Sequence, residues 1–340
     1  MSEAKNVWVF VEQTDGQLAD VSLELLAKGQ ELALALGGQV WALLCGHQVS
    51  ALAQTVIQYG ADRVLVADQV ELSLYRTQPY ARVAADLACE RKPYIFLFGA
   101  TPVGRDLAPR VASALRAGLT ADCTDLQIGD YTSRTDKQLY HNLLYQIRPA
   151  FGGNVMATIV NPRCHPQMAT VREGVMRRWE PDASRQGVVE PVSPAFDARD
   201  LVVQVLSRET RRSTVNLKAA PVVVAGGAGI DSKEEFELIR ELAHLLGGEV
   251  GASRAAVDAG YIDREHQVGQ TGLTVRPRLY IAAGISGAVQ HRAGMDESNK
   301  IIAINTDPNA PIFQIAHYKI VGDAAEVLPL LIQALREKAK

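Results

Sequence analysis

Four short apolar runs, at residues 7–11, 40–44, 63–66 and 94–98, recur through the first third of the chain with a helical pattern between each pair. The runs do not alternate polar with apolar residues, so they predict strands buried on both faces. The intervening helices span residues 20–36, 51–59 and 79–90, and are closed by Gly37-Gly38, by Gly60 and by Pro93. Strands separated by helices of this length leave a parallel sheet with right-handed crossovers as the available architecture. A further helix is expected at 106–115. After Gly118 the pattern changes: strand-like segments at 123–128, 139–147, 154–160 and 168–171 follow one another with only turns between. That block is expected to add antiparallel strands to the edge of the parallel sheet.

From residue 180 to about residue 219 the regular pattern is lost, with Pro181, Pro191 and Pro194 and the basic stretch that begins at Arg208. This is read as the interdomain region, with one strand inside it at 201–206. The second half restarts with an apolar run from Pro221 into a glycine loop, Gly226-Gly227-Ala228-Gly229. A helix follows, with a capping box of Ser232 and Glu235. It is expected to stop at Gly247-Gly248. Strands are expected at 279–283, 300–305 and 319–321, and a last helix at 324–338, with Pro329 in its first turn or at a kink. The fold class is therefore α/β: two doubly wound Rossmann-like domains with mainly parallel sheets, residues 1–206 and 207–340.

Composition excludes several classes of function. A formal charge of -3, with 21% charged and 47% hydrophobic residues, gives no electrostatic footprint for nucleic acid or an anionic membrane. The N-terminal residues enter the first strand without a signal-peptide run, and no segment approaches a membrane span. Both point to a cytoplasmic protein without membrane insertion. Cys45, Cys89, Cys123 and Cys164 are too scattered for a metal site or a disulfide framework, and Cys45 and Cys89 read as small buried hydrophobes. The histidines assemble no hydrolase triad, and neither a phosphate-binding P-loop nor a zinc-protease motif occurs.

Three polar-tipped motifs remain, at 251–254, 268–272 and 285–291. Each combines glycine, which lets backbone approach a ligand, with side chains that donate hydrogen bonds, as a large anionic planar cofactor requires. The last directly follows a strand-like run, at the carboxyl end where open α/β sheets bind ligands. Ser253 is placed to cap a helix begun by Arg254, whose charge opposes the helix dipole and calls for a negative partner. Taken singly, each residue has a plainer reading: Thr271 as a turn hydroxyl, Gln270 as a solvated loop residue, His291 as a structural histidine. The loop at 226–229 supports a second reading, a Rossmann-like nicotinamide-binding oxidoreductase domain, although it does not match Gly-x-Gly-x-x-Gly and no catalytic acid or base can be placed.

The segments Val-Gly-Ala-Ser-Arg-Ala-Ala-Val-Asp-Ala-Gly (250–260), Gln-Val-Gly-Gln-Thr-Gly (267–272), Leu-Tyr-Ile-Ala-Ala-Gly-Ile-Ser-Gly-Ala-Val-Gln-His (279–291) and Ile-Ala-Ile-Asn-Thr-Asp-Pro-Asn-Ala-Pro-Ile-Phe (302–313) resemble the alpha subunit of electron-transfer flavoproteins. The first half resembles it at 104–112, 120–124 and 148–154, in forms that lean toward the bifurcating bacterial type. The resemblance implies that FAD sits in the second domain, while the first, nucleotide-binding in shape, packs against a beta subunit in a heterodimer. It implies acyl-CoA dehydrogenase-like or quinone-reductase partners and single-electron transfer by a carrier subunit, with NADH-dependent electron bifurcation in some members. The residues it assigns to flavin and pyrophosphate are Ser253, Arg254, Val268, Gly269, Gln270, Thr271, Ser286, Gly287, Ala288, Val289, Gln290 and His291. Asn305 and Asp323 are assigned to the adenosine end. Within that set it puts Thr271 near flavin N5, His291 near O2 and Arg254 beside the ring. Two departures stand out: Ala228 replaces an arginine expected to contact FAD, and His317 stands where aspartate is frequent.

Overall fold

A computed structural model describes residues 5–150, 155–209 and 215–338. Asn154, the expected start of one strand, and residues 210–212 of the basic stretch lie outside them. The described residues fall into two compact units, one within 5–208 and the other within 209–338.

The first unit is built on a seven-stranded parallel sheet. Its first strands are β1 (Val7–Val11), β4 (Val40–Gly46), β5 (Arg63–Asp68) and β6 (Ile95–Gly99), with a small hairpin of β2 (Gln13–Thr14) and β3 (Gln17–Leu18) after β1. Helices α1 (Asp20–Leu36), α2 (Ala53–Gln58), α3 (Thr77–Arg91) and α4 (Pro102–Leu115) connect or follow them. Gly37 ends α1 in the left-handed conformation at φ 65°, as its place after the last periodic residue requires. The runs without alternation are buried throughout: every residue of β1 and β6 is inaccessible, between one core under α1 and another under α3 and α4.

Residues 119–191 depart from the expectation in a specific way. Strands β8 (Asp125–Thr132), β9 (Leu139–Ala150) and β10 (Val155–Ile159) are antiparallel, but they form a three-stranded sheet of their own. Their neighbours β7 (Leu119–Cys123) and β11 (Gln167–Val171) instead join the main sheet in parallel, giving the order β12-β5-β4-β1-β6-β11-β7. Segment 201–206 is not a strand. The edge strand is β12 (Val188–Pro191), parallel to β5 and pinned by Glu190, which accepts from Arg63 at 2.6 Å and Arg91 at 2.7 Å. Cys45 is buried as expected, whereas Cys89 falls on the solvent side of α3.

The second unit carries β13 (Val222–Gly226), β14 (Glu249–Ala252), β15 (Leu279–Ala283), β16 (Ile301–Asn305) and β17 (Tyr318–Val321), all parallel, in the order β14-β13-β15-β16-β17. Its helices are α5 (Lys233–Leu245), α6 (Arg254–Asp258), α7 (Val289–Arg292) and α8 (Ala324–Lys338). The chain leaves β13 to build β14 on one side and returns to build β15 on the other. The carboxyl end of β13 is therefore the switch point, where crevices open in sheets of this kind. Ser232 caps α5, its hydroxyl accepting from Glu235 N at 3.1 Å, and the box closes one residue early, with Glu235 accepting from Asp231 N at 3.0 Å. Ser232→Ala should lower the stability of this unit by about 1 kcal/mol in urea unfolding followed by circular dichroism. Pro329 lies inside α8, beyond its first turn, so the Ala325 carbonyl has no proline N–H to accept.

No helix among the described residues is long and apolar enough to cross a membrane. No cluster of three potential metal ligands occurs among them.

Candidate cofactor site

The loops after β13, β14 and β15 converge with the end of β16 on a cavity of about 620 Å³. Ser253 and Arg254 reach it from the start of α6 after β14, Val268, Gly269, Gln270 and Thr271 from the loop before β15, Ser286 and Ala288 from the loop after β15, and Gln290 and His291 from α7. Asn305 closes it from the end of β16. Gly287, Val289 and Asp323 are not in its lining. Gly287 has φ +83°, and a Cβ there would come within 2.2 Å of Ile312 N, so this glycine lets two backbones pack. The Asp323 carboxylate accepts from Ala325 N at 2.9 Å and thereby caps α8.

The motifs are tied to one another by main chain. Gln270 N donates to the Gln290 carbonyl at 2.7 Å, and Val268 N to that of Ala252 at 2.9 Å. The glycine loop after β13 packs on Gly284: a Cβ on Gly227 would stand 2.3 Å from the Gly284 oxygen. Gly227 N donates to Ala283 O at 2.9 Å and Gly229 N to Gly284 O at 2.8 Å. Two amides that a phosphate-cradling loop would offer are thus engaged within the chain, which weakens the nicotinamide reading. Ala228 lines the cavity with no charge to bring.

Ser253 caps α6 as expected, accepting from Ala256 N at 3.4 Å. The negative partner of Arg254 is Asp258, one turn along, at 3.3 Å. Both side chains are well exposed, 70% and 65%, so this pair contributes little and leaves the guanidinium free to turn toward a ligand anion. His317 has a structural role instead: its Nδ1 accepts from Ile301 N at 3.1 Å, fixing the start of β17 against β16.

His291 is a buried polar group in the cavity wall. It is 7% exposed, and its Nε2 lies 3.0 Å from the hydroxyl of Tyr280, which is fully buried in β15. Burial pulls the imidazole down to about 4, and the Val268 backbone opposes this from close by but outside hydrogen-bond geometry. Its Nδ1 is buried and has no hydrogen-bond partner among the described residues. Such an orphan costs about 1 to 3 kcal/mol unless a ligand completes it. The residues thus fit a flavin nucleotide: a large cavity at the switch point, close backbone approach, hydroxyl and amide donors, and one buried nitrogen lacking a partner. Sequence reasoning left Gln267, Ala255, Asp258 and Gly284 out of the site, and gave no contact to Ile285 although it opens the third motif; all five line the cavity. It read Tyr280 only as a strand residue. Gln267 opens a motif already noted for its glycines, and that position was its one visible signal.

The first unit has a smaller cavity of about 340 Å³ at the carboxyl ends of β1 and β4, with Glu12 in its wall. Burial, aided by Glu173, pushes the Glu12 carboxyl up to about 7 against a hydrogen bond from Thr101. An ionised carboxylate there would repel a phosphate.

A doubly wound sheet with a donor-rich cavity at its switch point defines the second unit as a nucleotide-cofactor domain. The chain belongs to the electron transfer flavoprotein family, as an alpha subunit, and its cofactor is FAD. Residues 7–197 match the electron transfer flavoprotein domain and 216–296 the electron transfer flavoprotein FAD-binding domain. The chain is 49% identical over 338 residues to the electron transfer flavoprotein subunit alpha of Thermoanaerobacterium thermosaccharolyticum, covering 99% of each. It is 48% identical to that of Clostridium acetobutylicum, covering 98% of each. Over 353 residues it is 42% identical to the acryloyl-CoA reductase electron transfer subunit beta of Anaerotignum propionicum, covering 98% of this chain and 96% of that one.

Proposed function

We propose that this chain, paired with a beta subunit, holds one FAD in the cavity of its second unit and passes single electrons between a flavin dehydrogenase and other redox partners. The observation that carries this reading is the convergence of three separated motifs on one cavity, with the buried His291 in its wall. Bound FAD supplies the redox chemistry. The protein's part is to hold and polarise it: Ser253, Arg254, Val268, Gly269, Gln270, Thr271, Ser286, Ala288, Gln290, His291 and Asn305 surround it. Gly287 and Val289 shape the loop, and Asp323 acts through the position of α8. The donors favour negative charge on the reduced cofactor, and their alignment before reduction limits the reorganisation that electron transfer must pay for.

The finer reading is participation in NADH-dependent electron bifurcation with an acyl-CoA dehydrogenase-like or quinone-reductase partner. The first-half motifs and the acryloyl-CoA reductase subunit among the relatives support it. Co-purification with the native beta subunit, followed by a count of FAD per dimer, tests both levels. Two FAD support the bifurcating form, and one FAD with AMP the simple carrier. A dimer with no flavin absorbance that takes up no added FAD would sink the carrier reading.

A further inference from the structure

Thr271 lines the cavity with an exposed side chain, and a hydroxyl can either donate or accept there. Gln267, only 4% exposed, donates from Nε2 to Thr271 Oγ1 at 2.9 Å. A side-chain amide nitrogen has no acceptor capacity. The hydroxyl hydrogen therefore cannot turn back toward Gln267 and remains available for the cavity. The backbone holds this arrangement. Gln267 N donates to Arg264 O at 3.0 Å, Leu273 N donates to Gln267 O at 2.7 Å, and a Cβ on Gly272 would stand 2.2 Å from that same oxygen. The two side chains are thus fastened at both ends of one tight loop.

We infer that Gln267 is a positioning residue that makes the Thr271 hydroxyl a one-way hydrogen-bond donor to the cofactor. This rests on the reading that the cavity takes FAD. The oxidised isoalloxazine edge presents ring nitrogens and carbonyl oxygens that accept, so a fixed donor matches it. A hydroxyl free to rotate would have to be ordered on binding. Glutamate at this position accepts only once it is ionised, and at alkaline pH it would draw the hydroxyl hydrogen to itself and remove the donor while keeping shape and volume.

The test uses the alpha–beta complex with Gln267→Glu, Thr271→Val and the double variant, each loaded with FAD and checked for FAD per dimer. Gln267→Glu and Thr271→Val should shift the visible absorption maxima in the same direction and weaken FAD binding by roughly two- to tenfold each. The double variant should be no worse than Thr271→Val alone. A wild-type spectrum and affinity in Gln267→Glu at alkaline pH, or fully additive losses, overturns the inference. The ligand-free protein gives a readout that does not depend on FAD: Gln267 side-chain amide exchange by NMR should be slow in the wild type and faster in Thr271→Val. Equal exchange in the two overturns it as well. If the wild-type dimer takes up no FAD, the cofactor reading fails, and the exchange comparison still decides whether Gln267 holds Thr271.

Discussion

Replacing Glu12 by glutamine should raise the stability of the first unit at pH 8 by up to about 3 kcal/mol and change it little at pH 4.5. The direction follows from a carboxyl whose folded-state value is raised from 4.5 to about 7, chiefly by burial. Below pH 4.5 the group is protonated whether the chain is folded or not, so it gives no pH-dependent penalty. Between there and pH 7 the unfolded chain loses the proton while the folded chain keeps it. Stability falls across that window and stays low above it. Glutamine keeps an oxygen to accept from Thr101, whose hydroxyl lies 2.7 Å from Glu12 Oε2, and it cannot ionise. Urea unfolding of wild type and variant at the two pH values checks the difference, and carboxyl NMR should place the Glu12 titration near 7. A stability difference that is the same at both pH values would rule out a buried, late-ionising Glu12.

The apolar runs that became β1, β4, β5 and β6 were legible because strands buried on both faces have no polar residues to confuse the pattern. Glycine stops after the helices marked their ends. What was not legible depended on partners distant in sequence. Strands β7 and β11 lie beside antiparallel strands along the chain, yet each pairs in parallel within the main sheet, and no local pattern encodes that choice. Edge strand β12 is short, half exposed and ends in Pro191, a composition that edges tolerate and that reads as loop. Conversely, 201–206 looked like a strand because it is apolar, yet Val202 and Leu206 are 74% and 94% exposed. Strand β14 has only four residues, and Gly251 suits it because a larger residue would press on Val223. In the site, the motifs were visible as glycine beside donors. The sequence could not distinguish residues that face the cavity from those that shape it: Gly287 admits Ile312, and Asp323 caps a helix.

His291→Ala should lower the one-electron potential of bound FAD by at most about 60 to 130 mV. This is the loss of a hydrogen bond to a charged group, roughly 1.5 to 3 kcal/mol, converted at about 59 mV per tenfold. With its own value pulled to about 4 by burial, His291 is neutral above pH 5 in the empty cavity and brings no standing positive charge to the oxidised cofactor. If Tyr280 donates to Nε2, the neutral ring keeps its hydrogen on Nδ1, the nitrogen with no other partner among the described residues. Negative charge on reduction then strengthens that one bond, so the effect falls mostly on the reduced form, as a change in potential requires. Tyr280→Phe should give a smaller shift of the same sign, because the ring remains while the group that orients it is lost. Potentiometric titration of the fully FAD-loaded complexes measures both. The same burial makes a prediction for the ligand-free protein. A histidine whose folded value is depressed from 6.5 to about 4 contributes stability at neutral pH that is lost as pH falls through that window, about 3 kcal/mol in all. His291→Ala should flatten that acid limb of the second unit's unfolding profile. If the potential is unchanged while the acid limb flattens, His291 is a core histidine, and the charge on the reduced flavin is held by Arg254 or by the backbone of the 268–271 loop.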